Sequence, residues 1–207
     1  MASFDFDIYD DAGNRKYLNL EEREAYFGAI DKALAKPDDR EKRTFALLLY
    51  YTGCRISEGL AVNHDSIDYA GKAVTFQTLK RRKRVYRQVP LPSSFLVKLD
   101  DVHHVKDHQT SRIKADGQQR IWSFGRTTAW RIITSVMEEA GIVGAQAAPK
   151  GLRHSFVIRH QALGTPTHMI QSWAGWSSSA MMEVYGRALG EEARDLARKL
   201  WNDNPSR

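Results

Sequence analysis

Apolar residues recur along most of this chain at the three-to-four-residue spacing of an amphipathic helix, and the breaks in that period mark the elements. Asn19, with Glu22 behind it, reads as an N-cap, after which Leu20, Tyr26, Phe27, Ile30 and Leu34 keep helical spacing until Pro37. A second helix starts near Asp38 and Asp39, turns Phe45, Leu47, Leu48 and Leu49 inward, and stops at Gly53. Ser57 is placed to cap a short apolar helix from Glu58 to Val62. From Ser66 the period shortens to two. Ile67 and Tyr69, then Val74 and Phe76, then Val85, Val89 and Leu91 predict three short antiparallel strands. Ala70-Gly71 supplies one turn, the basic run from Lys80 to Arg84 the other, and Pro90 and Pro92 end the sheet.

Beyond the sheet, residues 93–105 predict a helix, and His103 to Ile121, rich in His, Lys, Gln and Asp, reads as a polar surface connection. Helical spacing resumes near Thr127 with Trp130, Ile133, Val136 and Met137 on one face, and Gly141 closes that helix. Short helices are expected at roughly 152–163, 167–174 and 179–186, punctuated by Gly164, Pro166 and Gly175, with a last amphipathic segment from Glu191 to Trp201. Residues 1–18 show no clear period and read as a lead-in segment, so 19–207 is the expected single domain, with 190–207 its tail. The fold class is mainly α with a small three-stranded antiparallel sheet.

Charge adds a direction. The chain carries 31 Lys and Arg against 25 Asp and Glu, a net +6, and Lys80, Arg81, Arg82, Lys83, Arg84 and Arg87 crowd into eight positions on the expected hairpin. A polyanion suits such a patch, although a solvated charge run has the same composition and charge alone does not choose. A single cysteine, Cys54, rules out an intrachain disulfide. Met1 to Asp11 is acidic without a signal pattern, and no apolar run approaches about 18 residues, so a cytoplasmic, non-membrane protein is expected. His104 and His108 have the spacing of a zinc pair, but no Cys or Glu occupies a third ligand position. No acidic cluster suggests a two-metal nuclease and no glycine-rich loop suggests nucleotide hydrolysis, so neither metal nor ATP is expected as a cofactor.

Two stretches are too particular for generic helix sequence: Thr52-Gly-Cys-Arg-Ile-Ser-Glu58, and Lys150-Gly-Leu-Arg-His-Ser-Phe156 with Ala174-Gly-Trp176 and Tyr185 behind it. Together they resemble the tyrosine recombinase (phage integrase) family, from about Leu18 to the C-terminus. The resemblance implies that family's catalytic-domain fold and a site-specific DNA recombinase of integrase, excisionase, invertase or resolvase type. It further implies a covalent 3′-phosphotyrosyl intermediate with Tyr185 as nucleophile. By the same resemblance Arg55 and Arg153 bind the phosphate, Lys80 on the hairpin protonates the leaving 5′ oxygen, and Trp176 donates its indole N–H and braces Tyr185. Lys150 stands where the family more often has histidine, as proton acceptor or charge stabiliser. The chemistry fits the residue types: charge building on phosphate oxygens calls for fixed planar guanidinium donors, and a phenol must lose its proton to attack. Arg81, Arg82, Lys83, Arg84, Arg87 and His154 are expected as further DNA contacts.

The partner implied is a double-stranded DNA recombination site. The chain is expected to be weakly associated or monomeric alone and a homo-oligomer on DNA, as a tetrameric synapse, with no membrane or small-molecule substrate. Glu191 to Trp201 resembles a helix that relatives dock on a neighbouring protomer, and packing on its own core is the alternative. Relatives usually carry a core-binding domain before the catalytic one. Here about 18 residues precede the first helix, so the chain is either a short family member or a fragment. The resemblance also implies a prokaryotic, phage- or plasmid-encoded protein of a mobile element, acting at the nucleoid. Two other readings share the motifs: type IB topoisomerase-like relaxation, against which the Thr52 to Glu58 turn argues, and a DNA-binding regulator whose site is unused.

Overall fold

The computed structural model describes residues 7–80, 83–176 and 180–186, with the backbone alone at 78–80 and 83–84. Helix α1 (Leu20–Ala33) begins at a reciprocal cap: the Asn19 side chain accepts from the Glu22 N–H at 2.8 Å, and the Glu22 carboxylate accepts from the Asn19 N–H at 3.1 Å. A 3-10 turn, Pro37–Asp39, leads into α2 (Arg40–Thr52). That helix buries Phe45, Ala46, Leu47, Leu48 and Leu49 in succession, which a surface helix does not do, and it lies at the centre of the domain against α1, α4 (Ser93–His103), α7 (Arg126–Glu139) and α8 (Pro149–Ala162). Phe45 meets Trp122 and Phe124 edge to face at 5.3 and 5.2 Å, and the Trp122 indole donates to Thr44 Oγ1 at 3.1 Å, so the large ring is buried with its polar atom satisfied.

Helix α2 ends at Gly53, whose φ of +57° and ψ of 22° turn the chain sharply into α3 (Ile56–Leu60). The cap of α3 is Arg55 rather than Ser57, because the Glu58 carboxylate accepts from the Arg55 N–H at 2.9 Å and starts the helix two residues earlier than expected. Strands β1 (Ile67–Asp68), β2 (Ala73–Lys80) and β3 (Lys83–Pro90) form an antiparallel sheet in the order β1-β2-β3, as the period-two pattern predicts. Val74 pairs with Val89, Phe76 with Arg87, and Lys80 with Lys83 at the far end of the ladder. Arg81 and Arg82 lie outside the described residues.

Three expectations need correction. The polar stretch from His103 to Ile121 is not a plain loop: it folds into α5 (Val105–Thr110) and α6 (Lys114–Gly117). Most of its polar side chains are exposed, as a surface connection requires, but two turn inward: Gln109 donates to the carbonyls of His64 and Ile67 at 2.7 and 2.8 Å, and His108 stacks on His64 at 4.1 Å. Trp130 is 50% exposed, since Ala129, Ile132, Ile133, Val136 and Met137 form the buried face of α7. Leu20 and Phe27 are likewise exposed on α1. In the lead-in, Ile8, Tyr17 and Leu18 are buried, and Arg15 pairs with Glu22 at the cap of α1. Helix α8 starts at Pro149, a favoured first helical residue, and is followed by α9 (Thr167–Ala174) and α10 (Ala180–Tyr185). The expected helix from Glu191 to Trp201 lies outside the described residues. No described helix is long and apolar enough to cross a membrane.

The Gly53 turn is also the tightest joint between α2 and α8, since a Cβ there would stand 2.7 Å from Cβ and Cγ of Phe156. Gly53→Ala is therefore expected to lose about 3 kcal/mol in urea unfolding, from left-handed strain and overpacking together. A loss under about 1 kcal/mol would show that the turn relaxes at little cost.

Candidate active site

The α2–α3 turn supplies the first cation. Arg55 adopts extended dihedrals, φ −70° and ψ 150°, two residues after the left-handed Gly53, and its side chain is 40% exposed. Beneath it Glu58 is buried and gathers two guanidinium groups: Arg55 Nη1 donates at 3.0 Å, and Arg87 donates from Nη1 and Nη2 at 3.1 and 2.7 Å. Burial alone would push the Glu58 carboxyl up, but the hydrogen bonds and charge of Arg87, reinforced by Arg55, overcome it and hold the group at about 2. Arg87 also donates from Nε to the Trp173 carbonyl at 2.8 Å and lies over the Phe76 ring at 4.8 Å. It thereby ties β3 to α3 and to the end of α9.

Helix α8 supplies the second set. Gly151 lets its first turn approach the preceding loop, where a Cβ would stand 2.0 Å from the Gln146 carbonyl oxygen, and this seats the half-buried Lys150 at the start of the helix. One turn on, Arg153 is only 9% exposed and is fixed by backbone: Nη1 donates to the Gly53 carbonyl at 2.9 Å and Nη2 to that of Ala174 at 2.6 Å. Burial, and secondarily the nearby charge of Arg55, pull its guanidinium down to about 10, so it remains a cation near neutrality.

The third component follows α9. Gly175, at φ +66°, ends that helix where Arg87 passes, a Cβ there meeting Arg87 Cδ at 3.1 Å. The Trp176 ring then lies 5.0 Å from that of Tyr185, tilted by 30°. Tyr185 is 2% exposed, and its phenolic oxygen lies 2.6 Å from Nδ1 of His154. Burial raises its pKa, against the opposing pull of Arg153 and Arg55. Arg55, Lys150, Arg153, His154, Trp176 and Tyr185 line one cleft of about 450 Å³, and Glu58 and Arg87 lie behind its wall.

Five of the six expected catalytic residues therefore meet in one place, while the side chain of Lys80 lies outside the described residues, as do those of Arg81, Arg82, Lys83 and Arg84. Two expected surface contacts are not on the surface. Arg87 is buried on Glu58, and His154, 2% exposed, faces the phenol of Tyr185. Alternation holds the signal for the first: 85, 87 and 89 share one face of β3, and Phe76, the partner of Arg87 in register, is buried. Two further residues of the cleft, Arg126 and Trp130 of α7, were not anticipated there. An arginine and an exposed tryptophan on one helical turn are the only local sign.

The sequence model of the phage integrase family matches residues 16–192. The chain belongs to the phage integrase family. Similar members include tyrosine recombinase XerA of Thermococcus onnurineus, 26% identical over 164 residues, which are 79% of this chain and 56% of that one. Tyrosine recombinase XerD of Mycobacterium tuberculosis is 27% identical over 161 residues, 75% of this chain and 50% of its own. A probable site-specific recombinase in the afa region of Escherichia coli is 28% identical over 171 residues, 79% of this chain and 68% of that one. The chain thus spans about half the length of the first two of these curated relatives. Among solved structures, XerH recombinase bound to difH substrate in a pre-cleavage complex matches 93% of this chain and 59% of its own at 17% identity, TM-score 0.70. The catalytic domain of bacteriophage HP1 integrase matches 92% of this chain and 98% of its own at 16% identity, TM-score 0.58. The fold is that of integrase-family catalytic domains.

The family chain here stakes its site on Glu58, which yields a pH signature. A carboxyl lowered from 4.5 to about 2 on folding contributes stability that is complete above 4.5 and disappears as pH falls through about 2. Glu58→Gln is expected to cost about 3 kcal/mol near neutral pH in urea unfolding. It should also flatten the acid limb of the pH–stability curve. An unchanged acid limb would place the linkage on another group.

Proposed function

We propose that this chain cuts and rejoins DNA strands at a specific site, with Tyr185 attacking a phosphodiester to form a 3′-phosphotyrosyl link. The observation that carries the reading is the convergence of Arg55, Lys150 and Arg153 on the cleft that contains the Tyr185 phenol. Negative charge that grows on the non-bridging oxygens meets cations already in position, so the transition state gains more than the ground state. Arg153 is held by two carbonyls and Arg55 by a carboxylate, so both forks are oriented before DNA arrives. Trp176 packs against the ring of Tyr185 and limits its rotation. Lys80, at the end of β2, is the proposed donor to the leaving 5′ oxygen, with Arg81, Arg82, Lys83 and Arg84 as phosphate contacts along the duplex. The bond energy is kept in the phosphotyrosyl link, and a 5′ hydroxyl from another duplex releases it as an exchanged strand.

The partner is a double-stranded recombination site, supported by family membership and by the net charge of +6. Two duplexes must be cut for exchange, which favours a homo-oligomer on DNA, with 190–207 as the segment for docking on a neighbouring protomer. The proposed setting is the nucleoid of a prokaryotic cytoplasm, consistent with the bacterial and archaeal relatives.

A pool of duplexes randomised around a single nick tests the reading, because loss of the short fragment beyond the cut traps the covalent adduct. The wild-type chain is expected to yield adducts of one sequence family, and Tyr185→Phe none. Arg55→Lys and Arg153→Lys should each slow adduct formation about 100- to 1,000-fold, as loss of a fixed transition-state donor does. Relaxation of supercoiled plasmid without site preference would instead assign a topoisomerase, and no adduct from the wild-type chain would overturn the reading.

A further inference from the structure

We propose that His154, not Lys150, accepts the proton of Tyr185 when the phenol attacks DNA. The inference rests on the strand-cleavage reading above and deepens it. A general base must touch the proton that it removes, at about 2.6–3.2 Å between heavy atoms. The His154 Nδ1 stands 2.6 Å from the phenolic oxygen, and both side chains are 2% exposed, so bulk water does not compete for that contact. The two rings lie 5.5 Å apart at 44°, with Trp176 on Tyr185 as well, so the pair is held by packing and by its hydrogen bond. An imidazole accepts at one ring nitrogen while the other keeps its hydrogen, whereas an ammonium has no lone pair to offer. Position on the helix completes the argument. Lys150 and His154 are one turn apart on α8, with Arg153 between them, so one helix delivers a cation to the cleft, a phosphate-binding fork, and a base against the nucleophile.

The step balances without a further reactant. The Oη–P bond forms, the Oη–H proton passes to His154 Nδ1, and the P–O5′ bond breaks. The 5′ oxygen takes a proton from the ammonium of Lys80. In rejoining, a 5′ hydroxyl returns its proton to that lysine and attacks phosphorus, and His154 hands its proton back to the departing phenolate. Lys150 stays charged throughout and stabilises the phosphate.

The decisive variant is His154→Asn, whose amide oxygen reaches the place of Nδ1 and accepts the hydrogen bond but does not take up a proton. Single-turnover adduct formation is measured on a nicked duplex selected by the wild-type chain, with DNA binding followed by gel shift. We expect His154→Asn to bind that duplex as the wild type does and to cleave it about 100-fold or more slowly, the loss typical of a missing general base. Cleavage by His154→Asn within about tenfold of wild type overturns the assignment and leaves the recombinase reading intact. Failure of the wild-type chain to form any adduct counts against that reading instead. His154→Gln, with the same circular dichroism and gel-shift controls, serves if the asparagine variant does not fold, under the same thresholds.

Discussion

The buried carboxylate of Glu58 is the contact on which the site is built, because it holds the buried guanidinium of Arg87 and the half-exposed one of Arg55 side by side where they would otherwise repel each other. A lone buried arginine pays a desolvation penalty of several kcal/mol, and a carboxylate that accepts from two of them offsets much of it through short, charge-assisted bonds. Arg87 contributes its bidentate pair, its bond to the Trp173 carbonyl and its face on Phe76, so the sheet, α3 and the end of α9 are fastened at one residue. Arg55 shares the same carboxylate from the cleft side, and the orientation of its fork is a consequence of the buried pair beneath it.

The elements are coupled through backbone carbonyls as well. Gly53 has to be glycine for the turn of α2, and the same residue offers its carbonyl to Arg153; Ala174, where α9 stops, offers the other. The termini of two helices thus position the fork of a third. An error in either helix end moves a guanidinium, so local chain geometry and catalytic geometry are one constraint here.

Much of this was legible. Helix ends were marked by Gly53 and Gly175 because only a residue tolerant of positive φ fits there, and the sheet by its period of two. The cleft residues Arg55, Lys150, Arg153, Trp176 and Tyr185 were legible through their motif resemblance, since spacing along the chain says nothing about which turns meet in space. Direction of burial was the weak point. Arg87 sits in a basic run and reads as surface, although strand parity sets it beside Val89; His154 sits beside an arginine on a helix whose residues from Gly151 to Ile158 are all buried. For Arg87 composition pointed outward and strand alternation inward, and packing followed alternation; for His154 the helix is buried on all sides, which no helical period signals. His103 to Ile121 is the polar surface stretch its composition suggests, and what the sequence did not display is its two short helices and the backbone partners of Gln109.

The buried cations consequently divide into two kinds. Arg87 is paired to a carboxylate of opposite charge, so its field is largely cancelled and its role is to hold other groups. Arg153 is oriented by carbonyl oxygens, which fix a guanidinium without neutralising it. Arg55 stands between the two kinds: it shares the one Glu58 carboxylate with Arg87 and its side chain is 40% exposed, so one carboxylate faces two guanidinium charges and a net positive charge is left at the cleft. The phenol of Tyr185 faces the imidazole of His154 at 2.6 Å in the cleft that Arg153 also lines. A carboxylate in that place would set a negative charge beside Arg153 and weaken the positive field of the cleft, which an imidazole does not do.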